Sequence, residues 1–323
     1  MRISVLGCGR WGSFLAWYCH RVGHDVILWG RRGSTSLKRL RENRGNEYLA
    51  LPDEIELSDS LDQSMEHGEM VIISIKAQGL RSLATRLTSY DLTEKTIVLC
   101  MKGLEVESGK RLTEVFKEEV GDHNHIHPAI WVGPGHVQDF VNGRPNCMVI
   151  DSEDIETTKW IVEHLGSDLI RFYYGQDLIG NEIGAASKNV MGIAAGMLDG
   201  AGQTSLKGAL MARGTREISR LIEAVGGKGI TAYGLCHLGD YEATLFSKHS
   251  HNRRFGEAWV KGEPFEKLAE GRDTAAALVM LSKRYGVDLP ICSGIYSILF
   301  DGQDPEEVLE KMFLRSIKFE FFH

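Results

Sequence analysis

Gly7-Cys8-Gly9-Arg10-Trp11-Gly12 directly follows an apolar run at residues 3–6 and opens an amphipathic stretch. A strand, a Gly-x-Gly-x-x-Gly turn and a helix in that order form a phosphate-binding device. The first glycine permits the tight turn, the second lets the backbone approach a pyrophosphate, and the third lets the helix pack closely. The helix N-terminus adds free N–H groups and a positive dipole end. Gly7, Gly9, Arg10, Trp11 and Gly12 therefore read as a dinucleotide-binding turn. At the end of the second apolar run the chain reads Trp29-Gly30-Arg31-Arg32, with no acid for the ribose hydroxyls. Arg31 and Arg32 can fork onto a 2′-phosphate, so NADP is expected to be accepted alongside NAD.

A second chemical signal lies in the other half of the chain. Between Glu182 and Asp199 the only charge is Lys188, set among small and apolar residues. Such a lysine costs free energy unless it lines a wet cleft or meets an anion, the plain alternative being a side chain that snorkels out of a core helix. Reduction of a carbonyl needs a proton donor at oxygen as hydride reaches carbon, and an ammonium can polarise the carbonyl and give that proton. Lys188 suits the role. Lys102-Gly103 follows the apolar run 96–101, which places Lys102 at the C-terminal edge of a sheet, where α/β folds bind ligands; it is either a second cation near the substrate or a surface lysine.

These residues need a scaffold, and the patterning supplies one. Short β-branched runs at residues 3–6, 26–29, 70–75, 96–101, 129–132, 147–150 and 169–173 alternate with amphipathic stretches such as Arg10–Arg21, Leu80–Leu87 and Ile155–Leu165. That alternation predicts a parallel, doubly wound sheet with right-handed crossovers. Beyond Asp177 apolar residues recur at helical spacing, through Ile183, Val190, Ile193, Met197, Leu210, Ile218 and Leu221. The expected division is a dinucleotide-binding Rossmann domain over residues 1–177 and a helical substrate domain over 178–323, joined at Tyr174-Gly175-Gln176-Asp177.

Composition narrows the partners. A chain of 323 residues with 43% hydrophobic and 25% charged residues has the balance of a globular protein with room for two cores. Its net charge of −7 argues against nucleic acid or an anionic membrane as the main partner, so an anionic substrate must be caught by local basic groups. Six cysteines without a Cys-x-x-Cys pair suggest a reducing cytoplasm, and no apolar run approaches the length of a membrane span or signal peptide. His123, His125 and His127 alternate in a polar connection, but no acid or cysteine pattern accompanies them, and no metal site is expected.

Taken together, the segments Gly7–Gly12, Met101-Lys102-Gly103, Gly133-Pro134-Gly135-His136, the stretch around Lys188-Asn189, Arg213-Gly214, Gly234 to Asp240, Thr244 and Asn252 to Gly256 resemble the bacterial NAD(P)-dependent glycerol-3-phosphate dehydrogenases nearly end to end. The resemblance implies an α/β chain, with an N-terminal Rossmann doubly wound sheet and an all-helical C-terminal domain like that of 6-phosphogluconate dehydrogenase. It implies reversible reduction of dihydroxyacetone phosphate to sn-glycerol 3-phosphate for phospholipid synthesis, usually by a homodimer. Carried over by position, Lys188 is the acid/base, with Lys102 and Asp240 beside it. Gly133, His136, Thr244, Ser250, His251, Asn252 and Arg253 surround the substrate, and Lys102, Asn252 and Glu270 also approach the cofactor.

The chain departs from the family pattern at Gly135, Ser205, Cys236-His237 and, most of all, His251, which replaces an arginine expected at the phosphate. Arg253 or Arg254 would then supply the missing fixed charge. Two rival readings follow: a dehydrogenase of the same architecture acting on another phosphorylated ketone, and a nucleotide sensor without turnover. Retention of Lys102, Lys188 and Asp240 together speaks against the sensor.

Overall fold

A computed structural model describes residues 1–121 and 126–313. The strands are β1 (Arg2–Leu6), β2 (Asp25–Trp29), β3 (Glu56–Ser58), β4 (Met70–Ile73), β5 (Thr96–Leu99), β6 (Ala129–Val132), β7 (Asn146–Asp151) and β8 (Ile170–Tyr174). They form one sheet in the order β3-β2-β1-β4-β5-β6-β7-β8. Inner strands such as Met70–Ile73 are buried on both faces because helices cover the sheet on each side, which is why they read as continuous apolar runs. The strand order reverses between β1 and β4, and Gly7 and Ser74 leave the sheet side by side at that switch point. A crevice at the carboxyl ends of the strands follows from the topology.

Two expectations need correction. The sheet is not wholly parallel: β6 and β7 run antiparallel, with Ile130 opposite Asp151 and Val132 opposite Val149. Their connection carries only the five-residue helix Val137–Val141, too short to cross the sheet and return, so the chain folds back on itself. The edge strand β3 was not anticipated, because three residues give no period to read.

The second half consists of helices, chiefly Leu178–Gly200, Lys207–Ala224, His251–Lys261, Gly271–Tyr285, Pro290–Phe300 and Pro305–Phe313. The helix Leu178–Gly200 is buried from Gly180 to Leu198, and its small residues explain how. A Cβ at Gly196 would lie 1.8 Å from the carbonyl oxygen of Arg253, and one at Gly256 would lie 2.1 Å from that of Ile193. The two helices therefore pack backbone against backbone. No described helix is long and apolar enough to cross a membrane.

Polar contacts fix this central helix to the sheet. Asp151, at the end of β7, accepts from the Asp177 amide at 3.1 Å and the Asn181 side chain at 2.7 Å, while Asp177 caps the helix by accepting from the Gly180 amide at 3.1 Å. One turn further on, the buried Glu182 accepts from the Arg111 guanidinium at 2.7 Å and from the Thr113 amide and hydroxyl at 3.0 and 2.6 Å. Lys188 thus sits on a helix anchored at its start.

Candidate active site

Lys188 is only 6% exposed and Asp240 only 1%. The Lys188 ammonium donates to Asp240 Oδ2 and, at 2.9 Å, to the Thr244 hydroxyl. Asp240 ends the tight turn Leu238–Asp240, and Thr244 lies in the π-helical turn Glu242–Phe246 that follows; irregular turns of this kind recur where side chains must be aimed. His237 holds the base of the turn. Its Nδ1 bonds the Gly184 carbonyl at 2.8 Å, and since a carbonyl only accepts, Nδ1 carries the proton and Nε2 accepts from the Tyr241 hydroxyl at 2.7 Å. Burial pushes His237 down to about 4, so this ring stays neutral.

A second lysine arrives from the sheet. Lys102 donates to Asp240 Oδ2 at 2.9 Å and to the Gly133 carbonyl at 2.7 Å, so two ammoniums share one carboxylate oxygen. Burial brings Lys188 down to about 7, with Lys102 pushing the same way and Asp240 holding it up. A lysine poised there at neutral pH can give a proton as the ammonium or take one as the amine. Three amide contacts set the spacing of the two lysines: Asn189 donates to the Lys102 carbonyl at 3.0 Å, Asn252 donates to Asn189 at 3.0 Å, and the Gly271 amide donates to Asn252 at 3.0 Å.

These groups open into a cleft of about 1230 Å³ that also contains Gly7, Gly9, Arg10, Trp11, Arg31, His136, Ser250, His251 and Glu270. Its far end fits a dinucleotide. Gly7 has φ +121° and lies so close to the Ser74 carbonyl that a Cβ would be 2.1 Å from it, while a Cβ at Gly9 would meet open space. The helix Arg10–Arg21 has no side chain capping its first amides, which leaves them free for phosphate oxygens. Trp11, Trp29 and His136 line the same cleft, and the buried indole N–H groups and the His136 Nε2 have no partner among the described residues. Burial raises Glu270 to about 7, and it accepts from the Ala77 amide at 3.4 Å.

Models of the NAD-dependent glycerol-3-phosphate dehydrogenase N-terminus and C-terminus match residues 2–158 and 177–310. The chain belongs to that family. It is 34% identical to the glycerol-3-phosphate dehydrogenase [NAD(P)+] of Pelodictyon phaeoclathratiforme, with 99% of each chain covered. It is 32% identical to the enzyme of the same name from Fusobacterium nucleatum, covering 99% of this chain and 98% of that one. Among solved structures, glycerol-3-phosphate dehydrogenase from Coxiella burnetii superposes with a TM-score of 0.90 at 26% identity, covering 97% of this chain and 98% of that one.

Most residues singled out from the sequence meet in this cleft, but five do not line it, among them the exposed Arg254. Gly133 contributes its carbonyl to Lys102 from behind. Gly12 packs on the backbone of Gly7, where a Cβ would be 1.7 Å from the carbonyl oxygen. Arg32 is exposed and stands 4.0 Å from Asp59, so of the two arginines only Arg31 faces the cofactor end. Arg253 is the main correction: its guanidinium bonds Asp199 at 2.6 Å and Glu257 at 3.0 Å and is not offered to a substrate. Asp199 claims it because Arg253 rides on the face of its helix that packs against Leu178–Gly200.

Sequence reasoning gave no role to Asn189, His249, Lys267 or Tyr48, all in the cleft. Asn189 had a signal, an amide directly beside Lys188 in a helix of mostly small and apolar residues; the others carry none. His123 and His125 lie outside the described residues.

Proposed function

We propose that this chain is an NAD(P)-dependent sn-glycerol-3-phosphate dehydrogenase that reversibly reduces dihydroxyacetone phosphate, supplying glycerol 3-phosphate for phospholipid synthesis. The observation that carries the reading is the buried pair of lysines on Asp240, opening into a cleft whose other end is a dinucleotide turn. Residues 1–177 would hold the cofactor through Gly7, Gly9, Arg10, Trp11 and Arg31, with Glu270 and Asn252 near its reactive end. Residues 178–323 would supply most of the catalytic and substrate groups. The nicotinamide cofactor, when bound, supplies or accepts the hydride.

The chain's own work is at the carbonyl oxygen. An ammonium has three donors, and Lys188 spends two on Asp240 and Thr244, leaving one for the substrate. Lys102 likewise spends two, on Asp240 and Gly133, and keeps one. Two cationic donors converging on one oxygen stabilise the alkoxide that develops as the carbonyl is reduced, and Lys188 delivers the proton. Asp240 keeps Lys188 charged until that moment. In the reverse direction neutral Lys188 takes the proton from the alcohol.

Belonging to a dehydrogenase family and keeping both lysines disfavour a pure sensor. His251 leaves open a same-fold dehydrogenase for another phosphorylated ketone. We place the protein in the cytoplasm as a homodimer, with no nucleic acid partner. Identification of sn-glycerol 3-phosphate as the product formed from dihydroxyacetone phosphate and NAD(P)H tests the assignment; a different preferred ketone would replace it.

A further inference from the structure

We propose that Lys207, which does not line the cleft, is a positioning residue for the proton donor: it holds the π-helical turn Glu242–Phe246 so that the Thr244 hydroxyl meets Lys188. The inference rests on the reading of Lys188 as the acid/base. Its starting point is a pair of charges at the unfavourable ends of two helices. Asp199 lies in the last turn of Leu178–Gly200, where a helix favours cations, and Lys207 is the first residue of Lys207–Ala224, where a helix favours anions. Lys207 is also buried, only 4% exposed. Neither charge helps its own helix, and a buried lysine must be paired.

The pairing shows what the two charges hold. Asp199 Oδ2 accepts from the Lys207 ammonium at 2.6 Å and from the Arg253 guanidinium at 2.6 Å, while Oδ1 accepts from the Thr204 hydroxyl at 2.9 Å. Each cation also reaches a main-chain carbonyl of one short segment: Lys207 donates to Leu245 at 3.0 Å, and Arg253 donates to Ser247 at 3.2 Å. The Lys207 ammonium stands 5.1 Å from the centre of the Phe246 ring as well. This segment is where the π-helical turn ends and the chain becomes extended at Ser247. The amides of His249 and Ser250, which a continuing helix would offer to Leu245, bond Ser247 instead. Lys207 takes their place at the Leu245 carbonyl.

A π-helical turn is a rare conformation, and this one aims a side chain. Thr244, the residue before Leu245, packs on the central helix, where a Cβ at Gly192 would lie 2.8 Å from the Thr244 methyl carbon, and its hydroxyl accepts from Lys188 at 2.9 Å. The charged groups facing Lys188 are Asp240 and Lys102, with His237 neutral beside them. Lys207 bonds none of these, so its route to Lys188 runs through Leu245 and Thr244. Release of the Leu245 carbonyl lets the turn rewind and takes the hydroxyl away from Lys188. The ammonium then loses an acceptor that favours its charged form. Removal of a nearby positive charge alone acts in the opposite sense, favouring the charge on Lys188.

The test is the pH dependence of kcat for reduction of dihydroxyacetone phosphate by the full-length protein, read beside crystal structures of the variants. In Lys207→Met the limb that falls through about 7 should move down by about one pH unit, making reduction about tenfold slower near pH 8, with KM for the ketone little changed. The crystal structure should show the Thr244 hydroxyl out of reach of Lys188. Lys207→Arg, which keeps donors for Asp199 and Leu245, should restore both. Thr244→Val should give the same shift, and adding Lys207→Met to it should move the limb no further, because the two residues act in series. Lys207→Gln, polar but too short to bridge, replaces Lys207→Met if that variant does not fold. A limb and a Thr244 contact unchanged from wild type would overturn the proposal, as would a further shift on the Thr244→Val background. Wild type without turnover of dihydroxyacetone phosphate would overturn the assignment of function instead, and the Thr244 contact in the Lys207→Met crystal then decides this proposal.

Discussion

Lys102 and Lys188 approach one another through a single atom, Asp240 Oδ2, although one lysine comes from the end of a sheet strand and the other from the middle of a buried helix. Neither lysine can move without changing the charge balance of the other. Lys188→Ala should leave cofactor binding intact and lower turnover by at least about 10²–10⁴-fold, the usual cost of losing a positioned acid/base. Turnover close to wild type would return Lys188 to a structural role.

Because Lys188 lies at about 7, pH should act oppositely on the two directions of reaction. Reduction needs the charged form, so its kcat should fall as pH rises through about 7; oxidation needs the neutral form, so its kcat should rise through the same region. Asp240→Asn removes the group that favours the charge, and both limbs should move to lower pH. Limbs that stay in place in that variant would show that Asp240 does not govern Lys188.

Arg31 and Arg32 looked equivalent in the sequence, yet only Arg31 lines the cleft. Replacing Arg31 with alanine should raise KM for NADPH more than for NADH, because a guanidinium can fork onto the 2′-phosphate that NADH lacks. Arg32→Ala should change neither. Equal KM changes for the two cofactors in Arg31→Ala would mean that this arginine does not read the 2′-phosphate.

Much of the scaffold was legible because its signals are local. Alternation of apolar runs marked seven of the strands, and the turn at Gly7 announced itself by spacing. Contacts made over long separations were not legible: Arg253 could be offered to substrate only while its partner Asp199, 54 residues earlier, was unseen. The antiparallel β7 shows the same limit, since strand direction depends on how far the short helix Val137–Val141 can carry the chain. The pairing of Asp240 with Lys188 entered through family resemblance, since nothing in the spacing of residues 52 positions apart implies contact.

Glu182 and Arg111 tie the central helix to the sheet, with side chains only 5% and 10% exposed. Removing one member of a buried pair leaves the other charge uncompensated, so Glu182→Ala should destabilise the protein by about 3–5 kcal/mol in denaturant unfolding. A loss below about 1 kcal/mol would mean that water or a neighbour readily satisfies Arg111.

The central claim concerns chemistry, and the most direct measurement is cofactor oxidation by the purified protein. NADH or NADPH should be consumed when dihydroxyacetone phosphate is added, faster than with other phosphorylated ketones and with loss of the signal in Lys188→Ala. Absence of oxidation with dihydroxyacetone phosphate, alongside turnover of another phosphorylated ketone, would contradict the account and give the cleft a different substrate.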